Sequence, residues 1–247
     1  MNLFWEIHSG LPQEGPGDDN STLKALSLIP DLPSNPSILD IACGPGRQTI
    51  ALVKQTGGQI IALDKHQPFL EDVEKRARLE GLSDSVTLKR CSMADLDFDE
   101  NSFDIIWSEG AIYIMGFRKG LEYWKCFVKP GGAVAVTEAT WLTDNPSDEP
   151  RKFWRENYPA IKSVDGNLKV IDDLGYSLLG HFTLPESSWE DYYLPLEKRI
   201  AGLRVKYADN KEALKLLDDE QTEIDLYHKY HDAYGYVFYV MQKPNEY

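Results

Sequence analysis

Between residues 37 and 138 the chain alternates short apolar runs with segments whose apolar residues recur at helical spacing. Phe69, Leu70, Val73 and Ala77, for example, would share one face of a helix. Strands and helices that alternate in this way pack as a parallel sheet with helices on both faces. The pattern therefore predicts an α/β fold with strands over 37–42, 59–63, 85–90, 103–108 and 133–138.

The two ends of the chain carry weaker patterns. The first 36 residues are rich in Pro, Gly and Asp, which predicts an N-terminal arm or lid over 1–36 with one short helix over 21–28. A helix pair is expected around Phe153 and Ile171, followed by strands over 176–184 and 235–242. We predict a single domain over 37–247 with an insertion at about 185–233, helical over 209–232.

Composition disfavours several kinds of partner. The 247 residues include 26 Lys and Arg against 40 Asp and Glu, a formal net charge of −14. This charge argues against nucleic acid, whose phosphates are bound by Lys and Arg. No apolar stretch approaches the roughly 20 residues of a membrane span, and the first residues do not look like a secretory signal. We therefore expect a cytoplasmic protein without a membrane partner, and the aromatic C-terminal strand could pair across a homodimer.

The most informative local motif is the glycine-rich turn in LDIACGPG at 39–46. Gly44 and Gly46 follow an apolar strand and precede a helix, so the backbone can approach a ligand that faces helix N–H groups. The dinucleotide pattern requires a third glycine where this chain has Thr49, and the Gly-Lys-Ser/Thr of a Walker A loop is missing. NAD and FAD are therefore disfavoured.

Three acids accompany the first three predicted strands. Asp40 lies inside the first apolar run, where an unpartnered carboxylate would be costly to bury. Asp64 ends the second run and Asp95 follows the third. The carboxyl edge of such a sheet is where doubly wound folds bind ribose hydroxyls. We expect the three acids to border one crevice.

With these motifs the chain resembles the class I S-adenosylmethionine-dependent methyltransferases. The matching features are LDIACGPG at 39–46, the acid Asp64, SMAD at 92–95, FDIIWSEGAIY at 103–113 and KPGG at 129–132. The resemblance implies a seven-stranded Rossmann-like sheet in the order 3-2-1-4-5-7-6 with the last strand antiparallel. A crevice rimmed by carboxylates also suits the sulfonium and ammonium of S-adenosylmethionine better than a pyrophosphate.

The resemblance also implies which residues bind this cofactor. Gly44 and Gly46 would approach its methionine moiety, Asp40 would orient the amino group, and Ser108 and Glu109 would lie near the sulfonium and methionine tail. Asp64 would bind the ribose hydroxyls, and Lys65 or His66 would lie beside the adenine. Met93, Ala94 and Asp95 would contact the adenine edge.

Candidates for the acceptor side are titratable or aromatic residues near the same edge. Glu109 and Tyr113 are the catalytic candidates, although Glu109 equally suits a helix N-terminus and Tyr113 equally suits packing. Trp5 and His8 would belong to a lid, with an ordered terminal arm as the alternative, and Trp141 would contact the substrate. Asp225, His228, His231 and Asp232 share a predicted helix, but histidines at the edge of a core explain them better than a metal site.

The sequence therefore predicts a methyltransferase that uses S-adenosylmethionine and a small-molecule methyl acceptor. Transfer is an in-line displacement, so the protein must mainly hold donor and acceptor in line. Two alternatives stay open at this point. In the first, the acceptor is a protein side chain, because a broad acidic surface would attract a basic polypeptide. In the second, the protein binds S-adenosylmethionine without catalysis.

Overall fold

Eight strands form one sheet in the computed structural model, which describes residues 3–245. They are β1 (Ser37–Ile41), β2 (Gln59–Asp64), β3 (Val86–Arg90), β4 (Phe103–Ser108), β5 (Val128–Trp141), β6 (Lys162–Ser163), β7 (Ser177–Thr183) and β8 (Tyr234–Gln242). Their order across the sheet is β3-β2-β1-β4-β5-β8-β7, and β6 pairs with the end of β5 outside this path. Strands β1 to β5 are parallel to one another, whereas β8 is antiparallel to both β5 and β7.

The fold expected from the sequence is confirmed. Without the two-residue β6, the order reads 3-2-1-4-5-7-6 with the last strand antiparallel. The short β6 was not predicted, because no apolar run marks it in the sequence. The expected dimer pairing through the C-terminal strand is wrong for a simple reason: β8 is hydrogen-bonded along both edges and has none to offer.

Nine helices occur in the described part of the chain. They are α1 (Leu3–His8), α2 (Asp19–Ser27), α3 (Arg47–Thr56), α4 (Gln67–Leu79), α5 (Phe117–Trp124), α6 (Asp148–Asn157), α7 (Val164–Asp173), α8 (Glu186–Lys206) and α9 (Lys211–Tyr230). Helices α6 and α7 are the expected pair, and α9 matches the helical stretch expected over 209–232. Helix α2 begins two residues before the expected start because the Asp18 side chain caps it, accepting from the Ser21 N–H at 2.8 Å.

Alternation along the strands produces a core on each face of the sheet. Ile38 and Ile105 belong to one apolar cluster, while their neighbours Leu39 and Ile106 belong to the other. Helix α2 contributes Ala25 and Leu26 to the first of these clusters, so the second half of the expected N-terminal arm is part of the sheet layers.

A third apolar cluster lies at the ends of β5 and β8 and joins helix α1 to the segment between β7 and β8. Ile7 of α1 packs there with residues of α8 and α9, among them Leu196 and Leu217. Helix α1 was not expected from the sequence, since the Pro- and Gly-rich arm predicted turns there. None of the helices between residues 3 and 245 has the length and apolar character that crossing a membrane requires.

Candidate active site

A cavity of about 450 Å³ opens at the carboxyl ends of the parallel strands. Its floor is formed by the turns that follow β1, β2, β3 and β4. Its cover comes from α1, the segment 13–16, and residues of α6, α8 and α9. Ligands of open α/β sheets bind at this edge, so the cavity lies where the fold directs a ligand.

The glycine turn after β1 is shaped for close approach. Gly44 has a φ of +53°, and its N–H donates to the Asp64 carboxylate over 3.2 Å. Gly46 has a φ of +82°, and a Cβ at that position would lie only 2.6 Å from a Val73 methyl on α4. Both glycines are therefore required, the first by backbone conformation and the second by conformation and space.

Asp64 presents a carboxylate in the cavity wall. It is 8 % exposed and also accepts from the His66 N–H over 2.8 Å. Burial raises the pKa of Asp64, although the two N–H donors act in the opposite direction. An acid that is held by backbone donors and borders a cavity can receive ligand hydroxyls without moving.

The structure separates the residues that were expected to bind the cofactor into two groups. Gly44, Asp64, Lys65 and Met93 line the cavity. The cavity wall does not include Asp40, Gly46, Ala94, Asp95 or Ser108. Of the three acids that were expected to border one crevice, only Asp64 does so.

Asp40 is fully buried behind the glycine turn rather than in the cavity. Its carboxylate accepts from the Thr49 hydroxyl at 2.5 Å and from the Gln48 amide at 3.3 Å. Burial raises the pKa of Asp40 to about 7 despite these two hydrogen bonds. Thr49, which replaces the third glycine of the dinucleotide pattern, thus serves to tie α3 to β1.

Ser108, Ala94 and Asp95 were also expected to contact the cofactor but lie outside the cavity wall. The Ser108 hydroxyl is buried and donates to the Ile41 carbonyl at 3.0 Å, which joins β4 to β1. Ala94 and Asp95 are exposed, although Met93 immediately before them reaches the cavity. A direct contact of any of these residues with a cofactor stays a prediction.

Glu109 lines the cavity but is already engaged by three donors. It accepts from the Thr22 hydroxyl at 2.7 Å and from the indole N–H of Trp107 at 2.8 Å, and it pairs with Arg47 at 2.5 Å. These contacts fix the Glu109 side chain in one position. The structure instead gives Glu109 a positioning role, because it joins the loop after β4 to α2 and α3.

Tyr113 lines the cavity, whereas Trp141 does not. The Tyr113 ring lies 5.8 Å from that of Tyr158, centroid to centroid. Trp141 packs instead beside Tyr234, with ring centroids 6.1 Å apart, in the third apolar cluster. A substrate contact is thus geometrically open to Tyr113 and closed to Trp141.

Helix α1 covers the adenine end expected for the cavity. The Trp5 ring stacks on His66, which follows Asp64, with centroids 3.6 Å apart and planes 6° apart. Arg199 of α8 holds the helix by donating to the Glu6 and Ser9 carbonyls at 2.8 and 2.9 Å. Trp5 and His8 both line the cavity, as the lid hypothesis requires.

His8 joins α1 to the floor and to α9. Its two ring nitrogens lie 2.9 Å from Glu14 and 3.4 Å from Glu220. Burial alone would lower the pKa of His8, but the hydrogen bonds to these carboxylates outweigh it and raise the pKa to about 9. His8 is therefore a cation at neutral pH.

Three acids in the cavity wall were not expected from the sequence: Glu14, Glu220 and Glu223. An acidic run such as 218–220 usually marks a solvated helix face, which is correct for Asp218 and Asp219 but wrong for Glu220. One signal was available, since Glu220 follows the buried Leu217 by three residues and so shares its side of α9. No pattern in the Pro-rich segment around Glu14 predicted that its side chain lies in the cavity wall.

Glu14 lies directly against the glycine turn. A Cβ on Gly44 would be 3.8 Å from the Glu14 Cβ. One carboxylate oxygen of Glu14 pairs with His8, and the other is buried with no hydrogen-bond partner among the described residues. Burial raises the pKa of Glu14, and the neighbouring His8 opposes that effect.

Residues 3–245 contain no group of three or more His, Cys, Asp or Glu side chains arranged to hold a metal ion. His231 of the expected core-edge set pairs with Glu186 at 3.0 Å.

Comparison with known proteins agrees with this site. Residues 38–132 match the methyltransferase domain family, which covers the strands and turns that form the cavity floor. The chain is 29 % identical over 162 residues to the demethylmenaquinone methyltransferase of Lactiplantibacillus plantarum, covering 64 % of this chain and 67 % of that protein. It is 29 % identical over 160 residues to sterol 24-C-methyltransferase ERG6A of Gibberella zeae, covering 60 % of this chain but only 41 % of that enzyme.

Solved structures extend the similarity of fold to nearly the whole chain. A SAM-dependent methyltransferase from Geobacter sulfurreducens, crystallised with S-adenosyl-L-homocysteine, superimposes with a TM-score of 0.83 at 18 % identity, covering 98 % of this chain and 97 % of that one. One from Thiobacillus denitrificans, with the same ligand, gives 0.84 at 18 % identity with 98 % of both chains covered.

Proposed function

Because residues 38–132 match a methyltransferase domain, we propose that the chain is a class I S-adenosylmethionine-dependent methyltransferase that transfers a methyl group from S-adenosylmethionine to a small-molecule acceptor. One observation carries the proposal. A single cavity is lined both by the glycine turn with Asp64 and by aromatic and acidic side chains of the cover. Donor and acceptor would thus meet in one enclosed space.

The residues around the glycine turn and Asp64 fit S-adenosylmethionine. Asp64 offers carboxylate oxygens to ribose hydroxyls, and Lys65 and Met93 lie where the adenine would extend. The buried oxygen of Glu14 beside Gly44 lacks a donor, which is costly unless a ligand supplies one. The ammonium of the methionine moiety is such a donor, so we assign Glu14, rather than the buried Asp40, to its recognition.

When bound, S-adenosylmethionine supplies an electrophilic methyl group on a positively charged sulfur. The protein contributes mainly position, because in-line displacement needs the acceptor atom held close to the methyl and aligned with the breaking bond. The Gly44 turn fixes the floor on which the donor lies, and Glu109 fixes the loop that follows β4. Helix α1 closes the cavity, which excludes water and strengthens the charge interactions inside it.

The cover over the cavity favours a small acceptor over a protein. Residues of α1, α8 and α9 close over the glycine turn, and the third apolar cluster packs these helices together. A protein side chain would have to pass this cover while attached to its own backbone. The relatives in which a substrate is named, a demethylmenaquinone and a sterol methyltransferase, also act on small molecules.

Titration calorimetry tests the cofactor class. We expect S-adenosylmethionine and S-adenosylhomocysteine to bind and NADH to give no heat of binding. Binding of NADH alone would overturn the proposal. Incubation with methyl-labelled S-adenosylmethionine and a metabolite extract then tests catalysis. Label in a small molecule is expected, whereas label only in added basic polypeptides would favour a protein acceptor, and no transfer at all would favour a binding protein.

The proposal also includes the predictions about partners, cellular location and oligomeric state that were made from the sequence. A net charge of −14 supports the expectation that nucleic acid is not a partner. We retain a cytoplasmic location and a homodimer as predictions, the latter now without the C-terminal strand as its interface. Light scattering coupled to size-exclusion chromatography gives the oligomeric state, and a mass of one chain would reject the homodimer.

A further inference from the structure

One set of residues that line the cavity combines aromatic rings with carboxylates. We call it the acidic aromatic wall. Its rings come from the loop after β4, from α6, from α8 and from β8, and its acids come from α9. The members are Tyr113, Trp154, Trp189, Tyr192 and Tyr236, together with Glu220 and Glu223.

Packing behind the wall holds its rings in place. Trp189 stacks on Tyr227 with ring centroids 4.0 Å apart and planes 14° apart, and it lies 5.2 Å from Tyr236. Trp154 is supported by Tyr234, with centroids 5.1 Å apart. Trp189 is thus packed between Tyr227 and Tyr236, and it holds the Tyr236 ring in place at the cavity.

The two acids lie one helical turn apart on α9 and face the same rings. Burial raises the pKa of Glu223, the nearby Glu220 raises it further, and a hydrogen bond from Tyr193 at 3.1 Å opposes both effects. Both carboxylates also act on the Tyr192 phenol, whose pKa burial and these acids raise well above its ordinary value. The acids and the rings thus share one small volume.

Cations of the protein do not neutralise this wall. Among the described residues that line the cavity, His8, Arg47 and Lys65 carry positive charge. Arg47 is paired with Glu109, and Lys65 follows Asp64 in the turn after β2. His8 lies between Glu14 and Glu220, so one imidazolium faces three carboxylates when Glu223 is included. A neutral acceptor would leave Glu223 without a counter-charge in a buried site.

We propose that the methyl acceptor is a cationic amine whose nitrogen is held between Glu220 and Glu223 and the aromatic rings of Tyr192 and Tyr236. This inference rests on the proposed function and specifies its substrate class. Aromatic rings attract ammonium groups through their quadrupoles, and carboxylates add a full opposite charge. Both features favour a cation over a neutral molecule of the same shape.

The same residues account for the proton that an amine must lose. An ammonium nitrogen has no lone pair, so one N–H proton passes to the Glu223 carboxylate before transfer. The freed nitrogen pair then forms the N–CH₃ bond, while the pair of the breaking S–CH₃ bond stays on sulfur. The products are the methylated amine, S-adenosylhomocysteine and protonated Glu223, which returns its proton to solvent. The methylated amine regains a positive charge and still suits the aromatic faces.

Matched pairs of cation and neutral isostere provide the test. The protein is saturated with S-adenosylhomocysteine, and calorimetry measures binding of choline against 3,3-dimethylbutan-1-ol and of benzylamine against benzyl alcohol. We expect at least one cation to bind about tenfold or more tightly than its neutral partner. If neither cation is preferred, the inference is overturned.

Variants connect the preference to the wall. In the double variant Glu220→Gln and Glu223→Gln, the cation preference should fall to near unity, while Glu212→Gln, an exposed acid on the same helix, should preserve it. Tyr192→Leu should weaken cation binding by about threefold or more, and Tyr192→Phe should not, because only the ring face is needed. A preference that is unchanged in the double variant would place the cation elsewhere and contradict the assignment.

Binding of S-adenosylhomocysteine by each variant is measured first and shows that the site is folded. It also separates this inference from the proposed function. A wild-type protein that does not bind S-adenosylhomocysteine would contradict the proposed function itself. A protein that binds it but methylates only neutral alkenes or phenols in a mixed panel of acceptors would keep the proposed function and overturn the amine.

Discussion

Asp40 and Asp64 show how surroundings decide the role of a residue. They lie in neighbouring strands, and both are almost fully buried. Asp64 accepts from backbone N–H groups at the strand end and borders the cavity. Asp40 accepts from side chains of α3 and supports the turn from behind. Position along the strand separates them: Asp40 pairs with Ala62, so Asp64 lies two residues further along and ends its strand, whereas Ile41 still follows Asp40 in β1.

Substitution of Asp64 tests the ribose contact. Asp64→Asn removes a charged acceptor that is worth roughly 1.5 kcal/mol or more, so S-adenosylmethionine should bind about tenfold more weakly or worse. Glu71→Gln, an exposed acid on α4, is the control and should leave the affinity unchanged. Calorimetry gives both values. Equal affinity in Asp64→Asn and wild type would remove Asp64 from the site.

A second pair of variants identifies the acid that binds the ammonium of the cofactor. Glu14→Gln should lower the affinity for S-adenosylmethionine by about tenfold, because it removes the charge beside Gly44. Asp40→Asn should change the affinity by less than about threefold, since that carboxylate does not line the cavity. The opposite ranking would restore the role that the sequence suggested for Asp40.

Prediction from sequence succeeded for single residues where the backbone decides their position. Gly44 and Asp64 sit at strand ends, and the strand pattern alone places them at one edge. Glu14, Glu220 and Glu223 come from segments that are distant along the chain and meet only through tertiary packing. No local pattern encodes that meeting, although Tyr113 was expected at the cavity and the spacing of Glu220 from the buried Leu217 indicated its side of α9.

At the scale of elements, the sheet was predictable and the cover was not. Strands of a parallel sheet are buried on both faces and appear as apolar runs. Helix α8 carries its own signal, because the buried Trp189, Tyr193, Leu196, Ile200 and Leu203 recur every three or four residues. Pro195 in the middle of this stretch argued against a helix, yet the helix continues through it.

The attachment of α1 to α8 gives a prediction about the lid. Arg199→Gln removes the guanidinium that donates to the Glu6 and Ser9 carbonyls. We expect amide hydrogens of residues 3–9 to exchange at least about fivefold faster, while those of β1 and β4 keep their rates. Mass spectrometry of exchange resolves these segments. Unchanged exchange in 3–9 would mean that the aromatic stacking of Trp5 on His66 holds the lid alone.

For the whole molecule, the buried His8 connects folding stability to pH. Its pKa is about 9 in the folded protein and 6.5 when unfolded. Because the folded value is the higher one, the stabilisation is complete below about pH 6.5 and is lost as pH rises through about 9. The shift limits this contribution to about 3 kcal/mol.

Chemical denaturation of wild type and His8→Gln at several pH values measures this contribution. The difference in unfolding free energy between the two proteins should be largest below about pH 6.5 and should shrink towards pH 9. A difference that is constant across this range would show that His8 acts through packing alone. The comparison with the variant cancels the contributions of buried groups that do not contact His8, among them Glu138 of β5, whose pKa burial raises to about 8.

Ligand binding should stabilise the whole molecule, because the cavity joins the sheet edge to the helical cover. At a concentration about one hundredfold above its Kd, S-adenosylhomocysteine adds about 2.7 kcal/mol, which raises the Tm of a chain of this size by about 5–10 °C. NADH at the same concentration should leave the Tm unchanged. Equal stabilisation by both ligands would indicate binding that does not depend on the site described.

A crystal structure with S-adenosylhomocysteine tests the central claim most directly, namely that one cavity holds the methyl donor against the acidic aromatic wall. We predict that the ribose hydroxyls lie within hydrogen-bond distance of Asp64, that the ammonium lies beside Glu14, and that the sulfur faces Tyr113, Tyr192 and Glu223. Electron density for the ligand at any other surface, or with the sulfur turned away from these side chains, would contradict the account.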